Sequence, residues 1–213
     1  MSAFRFGADA DLPAGFALLP SGTTLLRGHS PARDPAWFGP AVGQRGTNRF
    51  DIPLRSRAST PGVCYLAPTL AGVLLERVIR DTRRELLSLA TLRVQHAVTP
   101  VTTTRDVLLI DLLVTPWTRH GVQTSELSGA PPYHTTQQLA ARLASMLPSD
   151  AADAPPRVPD GIAYASRFGA AIECIALWDR ARDALHWGKT APIDADRSAL
   201  ALACLRLGIG LVR

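Results

Sequence analysis

The first residue that could do chemistry is Glu76, an acid on a predicted helix. Residues 63–66 predict a strand, and Thr69 then caps a helix that follows it. Glu76 lies one helical turn after Gly72, so a residue without a side chain leaves space for a ligand above the carboxylate. The alternative is an ion pair from Glu76 to Arg80, four residues on, on a solvated helix face. The spacing alone leaves both interpretations open.

Two arginines could bind an anion. Arg27 ends a predicted strand over residues 23–27 and is followed directly by a glycine, and Arg49 lies in the glycine-containing loop 43–51. Guanidinium groups bind phosphate oxygens in pairs, and a loop with exposed backbone can cradle an anion. The loop lacks the Gly-Lys-Ser/Thr ending of a triphosphate-binding loop. The alternative for Arg27 is a solvent-facing side chain at the end of an ordinary strand.

Short strands and helices alternate along the elements that must position these residues. Further strands are predicted at residues 92–98, 107–114, 160–166 and 171–178, and further helices at 135–147 and 194–207. The intervening segments are interpreted as an irregular start (1–20), a turn (99–104), a long loop (115–133) and a linker (148–159). The length predicts one domain over residues 1–213. Within it we expect a lead (1–22), a core (about 23–180) and a C-terminal segment (181–213) that closes the sheet.

Composition narrows the function classes. The formal charge is +5, and Lys189 is the only lysine, so arginine carries nearly all the positive charge. The one basic cluster, at residues 77–84, lies on a helix whose other face is core and lacks interleaved aromatics, which argues against direct nucleic-acid binding. No apolar run reaches the roughly 18 residues of a membrane span. The N-terminus has acids where a signal peptide needs an apolar segment, so we expect a cytoplasmic protein.

Cysteine and histidine patterns predict no metal site. The three cysteines, Cys64, Cys174 and Cys204, share no Cys-x-x-Cys spacing, and each lies in an apolar run. This pattern is typical of reduced, buried thiols. The five histidines are scattered, with no pair at ligand spacing.

An ordered set of motifs resembles the RES domain family, which is named after an arginine, a glutamate and a serine. The motifs are Leu-Arg27-Gly-His-Ser-Pro, Trp-Phe-Gly-Pro, Asn-Arg49-Phe-Asp, Val-Cys-Tyr65-Leu-Ala, Glu76 in the next helix, and Asp-Gly-Ile-Ala-Tyr-Ala-Ser166-Arg. Two positions depart from the family pattern. Leu26 stands where many relatives have an aromatic residue, and the loop ends Asn-Arg-Phe where relatives often have Gly-Arg-Trp.

The resemblance implies an α+β fold like that of ADP-ribosyltransferase toxins, with a split mixed β-sheet, flanking helices and a cleft for NAD⁺. It also implies a toxin that breaks the nicotinamide–ribose bond of NAD⁺, with water or inorganic phosphate as acceptor and with no cofactor. The expected partner is an Xre-type antitoxin that plugs the cleft, and a homo-oligomer within that complex is a further expectation.

The chemistry of the implied site residues fits this activity. Cleavage builds positive charge on the ribose, which the carboxylate of Glu76 would stabilise. Arg27 and Arg49 would bind the pyrophosphate, and Tyr65 would stack on the nicotinamide or a ribose. Ser166 would hydrogen-bond the ribose or orient the acceptor. It has no His and Asp at a recognisable spacing, so a serine nucleophile is not expected.

Three alternatives stay open at this point. The chain could transfer ADP-ribose to a protein, because one cation-stabilising carboxylate serves every acceptor. It could be a non-catalytic module that keeps the fold and only holds a nucleotide or a partner. A basic nucleic-acid-binding protein is the third, and it predicts steeply salt-dependent binding to a duplex.

Overall fold

The fold is seen in a computed structural model of the chain. The model describes residues 15–56, 60–79, 86–113, 124–127, 131–145 and 158–213.

Three β-sheets contain the strands of the described residues. The largest has the strand order β1 (Phe16–Leu19), β6 (Val107–Asp111), β7 (Gly161–Ser166), β8 (Gly169–Trp178) and β3 (Val63–Leu66). Its β6 and β7 are parallel, and its other neighbours are antiparallel. The second sheet has the order β10 (Ala191–Pro192), β5 (Ala97–Thr103) and β2 (Thr24–His29), and β9 (Leu185–Trp187) also pairs with β5. In the third, β11 (Gly210–Val212) lies parallel to β4 (Leu86–Ser88).

The helices of the described residues connect and cover these sheets. They are α1 (Leu70–Val73), which continues as a π-helical turn (Leu74–Val78), α2 (Leu89–Gln95), α3 (Thr124–Leu127), α4 (His134–Ala144), a 3₁₀ helix (Asp179–Ala184) and α5 (Arg197–Leu207).

The large sheet is buried on both faces. Strand β6 is buried along its whole length, as expected for a continuous apolar run in the middle of a sheet. Its neighbouring residues point in opposite directions: Leu109 shares a hydrophobic cluster with Leu25 of the second sheet, whereas Ile110 belongs to the cluster of Leu74 and Leu139 beside the helices. One face of the large sheet therefore meets the second sheet, and the other meets α1 and α4.

The two larger sheets meet next to Arg27 and the helix that carries Glu76. Leu26 of β2 and Ala67, directly after β3, exchange both backbone hydrogen bonds at 2.8 and 2.9 Å. Thr69 then caps α1, because its Oγ1 accepts a hydrogen bond from the Gly72 amide at 3.3 Å. The junction brings Arg27 and the start of the helix of Glu76 to the same edge of the fold.

Most predicted elements are confirmed. The strands at 23–27, 63–66, 107–114, 160–166 and 171–178 correspond to β2, β3, β6, β7 and β8, and the helices at 135–147 and 194–207 correspond to α4 and α5. The predicted α+β architecture with a split mixed sheet is also confirmed. Arg80, the alternative partner of Glu76, lies outside the described residues. The same holds for most of loop 115–133 and most of linker 148–159.

Two predictions of secondary structure were wrong. The irregular lead contains strand β1, which pairs antiparallel with β6. The strand predicted at 92–98 and the turn at 99–104 are instead helix α2 followed by strand β5. The threonines of β5 misled the prediction: Thr99 and Thr103 are buried and hydrogen-bonded, and Pro100 between them is exposed, so the segment alternates as a strand does.

Candidate active site

A cavity of about 280 Å³ opens at the junction of the two larger sheets. Its walls come from β2, the end of β3, the helix that carries Glu76, and the loop between Thr47 and Arg49. The size is near the lower bound of sites for small organic ligands. The charged and aromatic side chains that line it are Arg27, His29, Arg33, Arg49, Tyr65, Glu76, Arg77, Tyr133, Arg167 and Phe168. Four of the five predicted site residues thus converge on one cavity, although they are spread over fifty positions of the chain.

Glu76 presents a carboxylate whose two oxygens differ in their contacts within the described structure. It lies on the π-helical turn, in which the Ile79 amide donates to the Leu74 carbonyl at 2.7 Å. The Tyr164 hydroxyl donates to Oε2 over 3.2 Å, whereas Oε1 is buried and has no hydrogen-bond partner among the described residues. A buried carboxylate oxygen without a donor is costly, and a catalytic role is one of the explanations for such a group in a native structure. π-Helical turns are also frequent at functional sites.

Arg27 brings a buried cation to the cavity. It is 6 % exposed, and its Nη1 donates to the thiol sulfur of Cys64. Its guanidinium lies 5.8 Å from the Trp187 ring centre. Burial raises the pKa of Cys64 to about 11, against the influence of Arg27, so the thiol is protonated at neutral pH and supplies no counter-charge. Arg27 forms no ion pair within the described part of the chain, so an anion in the cavity would compensate it.

Arg49 is held by two backbone carbonyls and two aromatic rings. Its Nη1 donates to the Leu127 carbonyl at 2.9 Å, and its Nη2 donates to the Ala165 carbonyl at 2.8 Å. Its guanidinium carbon lies 4.9 and 4.6 Å from the ring centres of Phe50 and Tyr164. Arg49 lines the cavity and is 7 % exposed. It adds positive charge at a fixed place, and its two terminal nitrogens already donate hydrogen bonds to backbone carbonyls.

Asp51 organises the loop that carries Arg49, a role the sequence did not reveal. Its Oδ2 accepts hydrogen bonds from the Thr47 and Asn48 amides at 2.9 and 2.8 Å and from the Asn48 side chain at 3.0 Å. Its Oδ1 accepts from the Tyr65 hydroxyl at 2.9 Å. Asp51 is 2 % exposed. The loop is thus wound around one buried carboxylate.

Helix α4 supports the same loop. Gln137 donates from Nε2 to the backbone carbonyls of Gly46 and Asn48 at 3.1 and 3.0 Å. The side chain is 7 % exposed, and it supports the loop from the side of the helix.

Tyr65 contributes a ring to the cavity wall and anchors the loop by its hydroxyl. The hydroxyl donates to Asp51 and accepts from the Phe50 amide at 3.0 Å. Burial and the neighbouring Asp51 carboxylate raise the pKa of Tyr65 well above its usual range, so it remains a neutral donor. The side chain is therefore fixed in place, with its ring available for stacking.

Ser166 is the predicted site residue that does not line the cavity. It ends β7, is 2 % exposed, and its Oγ accepts a hydrogen bond from the Phe168 amide at 3.3 Å. The two residues that follow it, Arg167 and Phe168, line the cavity, and the Arg167 guanidinium lies 4.3 Å from the Phe168 ring centre. In this structure Ser166 shapes the turn that delivers these neighbours.

His29 is a cavity residue that the sequence did not single out. Its Nδ1 faces the Ser30 carbonyl at 2.9 Å, and its Nε2 faces the Thr99 hydroxyl at 2.8 Å. Burial is the main cause that lowers the pKa of His29, the Ser30 carbonyl opposes it, and Arg27 lowers the pKa further. The neutral ring must carry its proton on Nδ1, because a carbonyl only accepts. His29 is then a fixed, neutral part of the wall.

The described residues show neither a metal site nor a membrane-spanning helix. No cluster of three or more His, Cys, Asp or Glu residues with metal-binding geometry occurs in the described ranges. Within the same ranges, no helix has the length and apolar character needed to cross a membrane. The three cysteines are free and buried, which confirms the prediction of reduced thiols.

Comparison with known proteins gives the family and supports the fold. The model of the RES domain family matches residues 24–198. In fold, the chain is similar to a chain of the M. tuberculosis MbcT–MbcA toxin–antitoxin complex, with a TM-score of 0.51 and 17 % sequence identity over 82 % of this chain and 85 % of that one. The ADP-ribosyltransferase-like α+β fold is confirmed by this similarity. None of the curated proteins compared with the chain matches it. The family model covers the residues that form the cavity, and the chain belongs to the RES domain family.

Proposed function

We propose that this chain is the toxin of a toxin–antitoxin pair and that it degrades NAD⁺ by breaking the nicotinamide–ribose bond. The observation that carries the proposal is the carboxylate of Glu76, which lies in one cavity with Arg27 and Arg49 and whose buried Oε1 has no hydrogen-bond partner among the described residues. The RES family membership and the similarity in fold to a toxin–antitoxin complex support the same class of function.

Glu76 supplies the chemical step in this proposal. As nicotinamide leaves, positive charge develops on the ribose ring, and a carboxylate held beside it lowers the energy of the oxocarbenium-like transition state. Tyr164 holds Oε2, so Oε1 is the oxygen left for the substrate. Nicotinamide leaves as a neutral molecule, and the bonding electrons go with it.

The arginines bind the pyrophosphate in this proposal. Arg27 is a buried cation without an ion-pair partner in the described structure, and a phosphate oxygen would offset the cost of burying it. The exposed Arg33 lies at the mouth and extends the positive charge outward. The Tyr65 ring offers a stacking surface, and Ser166 orients the ribose or the acceptor through the turn that it shapes.

The acceptor decides the product. Attack by inorganic phosphate gives ADP-ribose 1″-phosphate, attack by water gives ADP-ribose, and transfer to a side chain gives an ADP-ribosylated protein. All three reactions release nicotinamide and need no cofactor. Our proposal is a free acceptor, phosphate or water, because the cavity is lined with arginines that would also hold phosphate.

The proposed partner is an Xre-type antitoxin that fills the cavity in the cytoplasm and keeps the toxin inactive, with toxin subunits associating within that complex. The MbcT–MbcA structure, to which this chain is similar in fold, is itself a toxin–antitoxin complex. A mouth lined by Arg33, Arg77 and Arg167 would favour an acidic segment on the partner.

The proposal is tested by incubating the purified protein with NAD⁺, with and without inorganic phosphate, and separating the products by chromatography. We expect free nicotinamide together with ADP-ribose 1″-phosphate or ADP-ribose, and growth arrest when the chain is expressed without a partner. Nicotinamide release only when a protein acceptor is present would favour the transferase. No nicotinamide under any condition would reject the enzymatic proposal and favour the binding module.

A further inference from the structure

Tyr164 is the hydrogen-bond partner of the Glu76 carboxylate within the described structure. The two residues are 88 positions apart in the chain, and the phenol donates to Oε2 over 3.2 Å. The other carboxylate oxygen, Oε1, has no donor there. One oxygen of Glu76 is therefore fixed from the sheet side, and among the described residues this one hydrogen bond restricts the rotation of the carboxylate.

The Tyr164 ring is itself held by the side chains that pack against it. It is 2 % exposed, in the middle of the buried strand β7. The Phe50 ring lies 4.8 Å from it, tilted by 57°, and the Arg49 guanidinium carbon lies 4.6 Å from its centre. Arg49 is in turn fixed by the carbonyls of Leu127 and Ala165. The position of the hydroxyl is thus set by the packing of Phe50 and Arg49 against the ring.

The charges around Tyr164 keep it a donor. Burial and the Glu76 carboxylate raise the pKa of Tyr164 well above its usual range, and Arg49 acts in the opposite direction. The neighbouring Cys174 and Tyr65 are also neutral, because burial raises the pKa of each. A neutral phenol facing a carboxylate donates its proton into a charge-assisted hydrogen bond.

We infer that Tyr164, held by Arg49 and Phe50, is a positioning residue that fixes the Glu76 carboxylate with Oε1 directed to the substrate. The inference rests on the proposed function, in which Glu76 stabilises the ribose cation. A carboxylate that is free to rotate spends less time in the productive geometry, and misplacement by about 1 Å can cost about a hundredfold in rate. The contact acts on the transition state, because substrate binding relies on the arginines.

The test is Tyr164→Phe, which removes only the hydroxyl and keeps the buried ring. We expect kcat for nicotinamide release to fall about 10- to 100-fold, as for loss of a hydrogen bond to a charged group, while KM changes by less than about threefold. Thr103→Val is the matched control. It deletes a buried hydroxyl that donates to the Pro20 carbonyl at 2.7 Å, far along β5 from the cavity lining, and should leave kcat unchanged.

A second variant, Glu76→Asp, distinguishes a loss of carboxylate positioning from a general loss of activity. Glu76→Asp shortens the side chain by one methylene and withdraws the carboxylate from the phenol. In that background, Tyr164→Phe should lower kcat by less than about threefold, because the contact is already lost. Melting temperatures of all variants show whether each is folded at the assay temperature.

The outcomes separate the two claims. An active wild-type protein together with a Tyr164→Phe variant of wild-type kcat overturns the positioning role and leaves the proposed function intact. An undiminished loss from Tyr164→Phe in the Glu76→Asp background also overturns it. A wild-type protein that releases no nicotinamide overturns the proposed function and this assignment with it.

Discussion

A methyl group added at Gly28 would test how closely the helix of Glu76 must pack against strand β2. A Cβ at this position would lie 2.5 Å from Cγ1 of Val73 and 3.3 Å from Cβ of Arg77. Carbon atoms in contact prefer about 3.5 to 4.0 Å, so the first contact overlaps by at least about 1 Å. Val73 is 3 % exposed and buried in the core, so it has little room to move. The helix must then shift away from β2.

The structure sets the size of both effects. Overpacking of a core by one methyl group costs about 1 to 3 kcal/mol, which lowers the melting temperature by roughly 2 to 12 °C for a chain of this size. A shift of about 1 Å in the helix would also move Glu76 relative to Arg27 and lower kcat/KM by about a hundredfold. Thermal unfolding and nicotinamide release measure the two effects on the same Gly28→Ala protein.

Val73→Ala supplies the matched control, because it removes the Cγ1 that the new methyl group would meet. Alone it should cost about 2 kcal/mol through lost burial and a small cavity. Combined with Gly28→Ala it should restore part of the loss, with a favourable coupling of at least about 1 kcal/mol and partial recovery of activity. Strictly additive effects, or a Gly28→Ala variant with the wild-type melting temperature and turnover, would refute this account of the packing.

Three further predictions concern the cavity wall. Arg27→Met keeps the side-chain volume and removes a buried cation that has no ion-pair partner in the described chain. The free energy of unfolding should therefore rise, while the Kd for NAD⁺ rises at least about tenfold. A loss of both stability and affinity would contradict this. Asp51→Ala should lower the unfolding free energy by about 3 kcal/mol in denaturant titrations, because it removes a buried carboxylate that accepts four hydrogen bonds. Asp106→Ala, which removes one exposed contact, should lower it by less than about 1 kcal/mol, and equal losses would refute the role of Asp51. Because the folded protein disfavours protonated His29, the unfolded chain takes up the proton first as the pH falls through about 6.5. The free energy of unfolding should then drop by up to about 1.4 kcal/mol per pH unit, and His29→Asn should reduce this slope. An unchanged slope would contradict the buried neutral ring.

The convergence of Arg27, Arg49, Tyr65 and Glu76 could be anticipated because each lies in a short motif whose order along the chain is informative. The contacts that hold these residues in place could not be anticipated. Tyr164 meets Glu76 across 88 positions, and no local spacing reports such a contact. It could have been suspected only from its place two residues before the Ser166 of the same motif.

Local conformation explains the remaining differences. Period-two alternation along β7 would direct Ser166 to the same face as Tyr164, but the pairing of β7 with β8 shifts register between Ala165 and Ser166. The helical pattern assumed 3.6 residues per turn, whereas the segment at Glu76 is π-helical and buries Leu75 as well as Leu74. Both irregularities lie beside the cavity, where functional sites commonly depart from regular geometry.

The space next to Glu76 also has a different cause from the predicted one. Gly72 lines the cavity as expected, but a Cβ there would lie 2.7 Å from Cβ of Ala67. Its missing side chain is therefore required by the packing of α1 against the end of β3, and the opening beside the carboxylate follows from that packing.

In the proposed reaction the Glu76 carboxylate stabilises positive charge on the ribose of NAD⁺. The most direct measurement is the turnover of NAD⁺ by the wild type and by Glu76→Gln, which is nearly isosteric and uncharged, with folding checked by thermal unfolding and affinity checked by equilibrium binding of NAD⁺. We expect a folded variant that still binds NAD⁺ and releases nicotinamide at least about 100- to 1000-fold more slowly. Turnover by Glu76→Gln at the wild-type rate would contradict it.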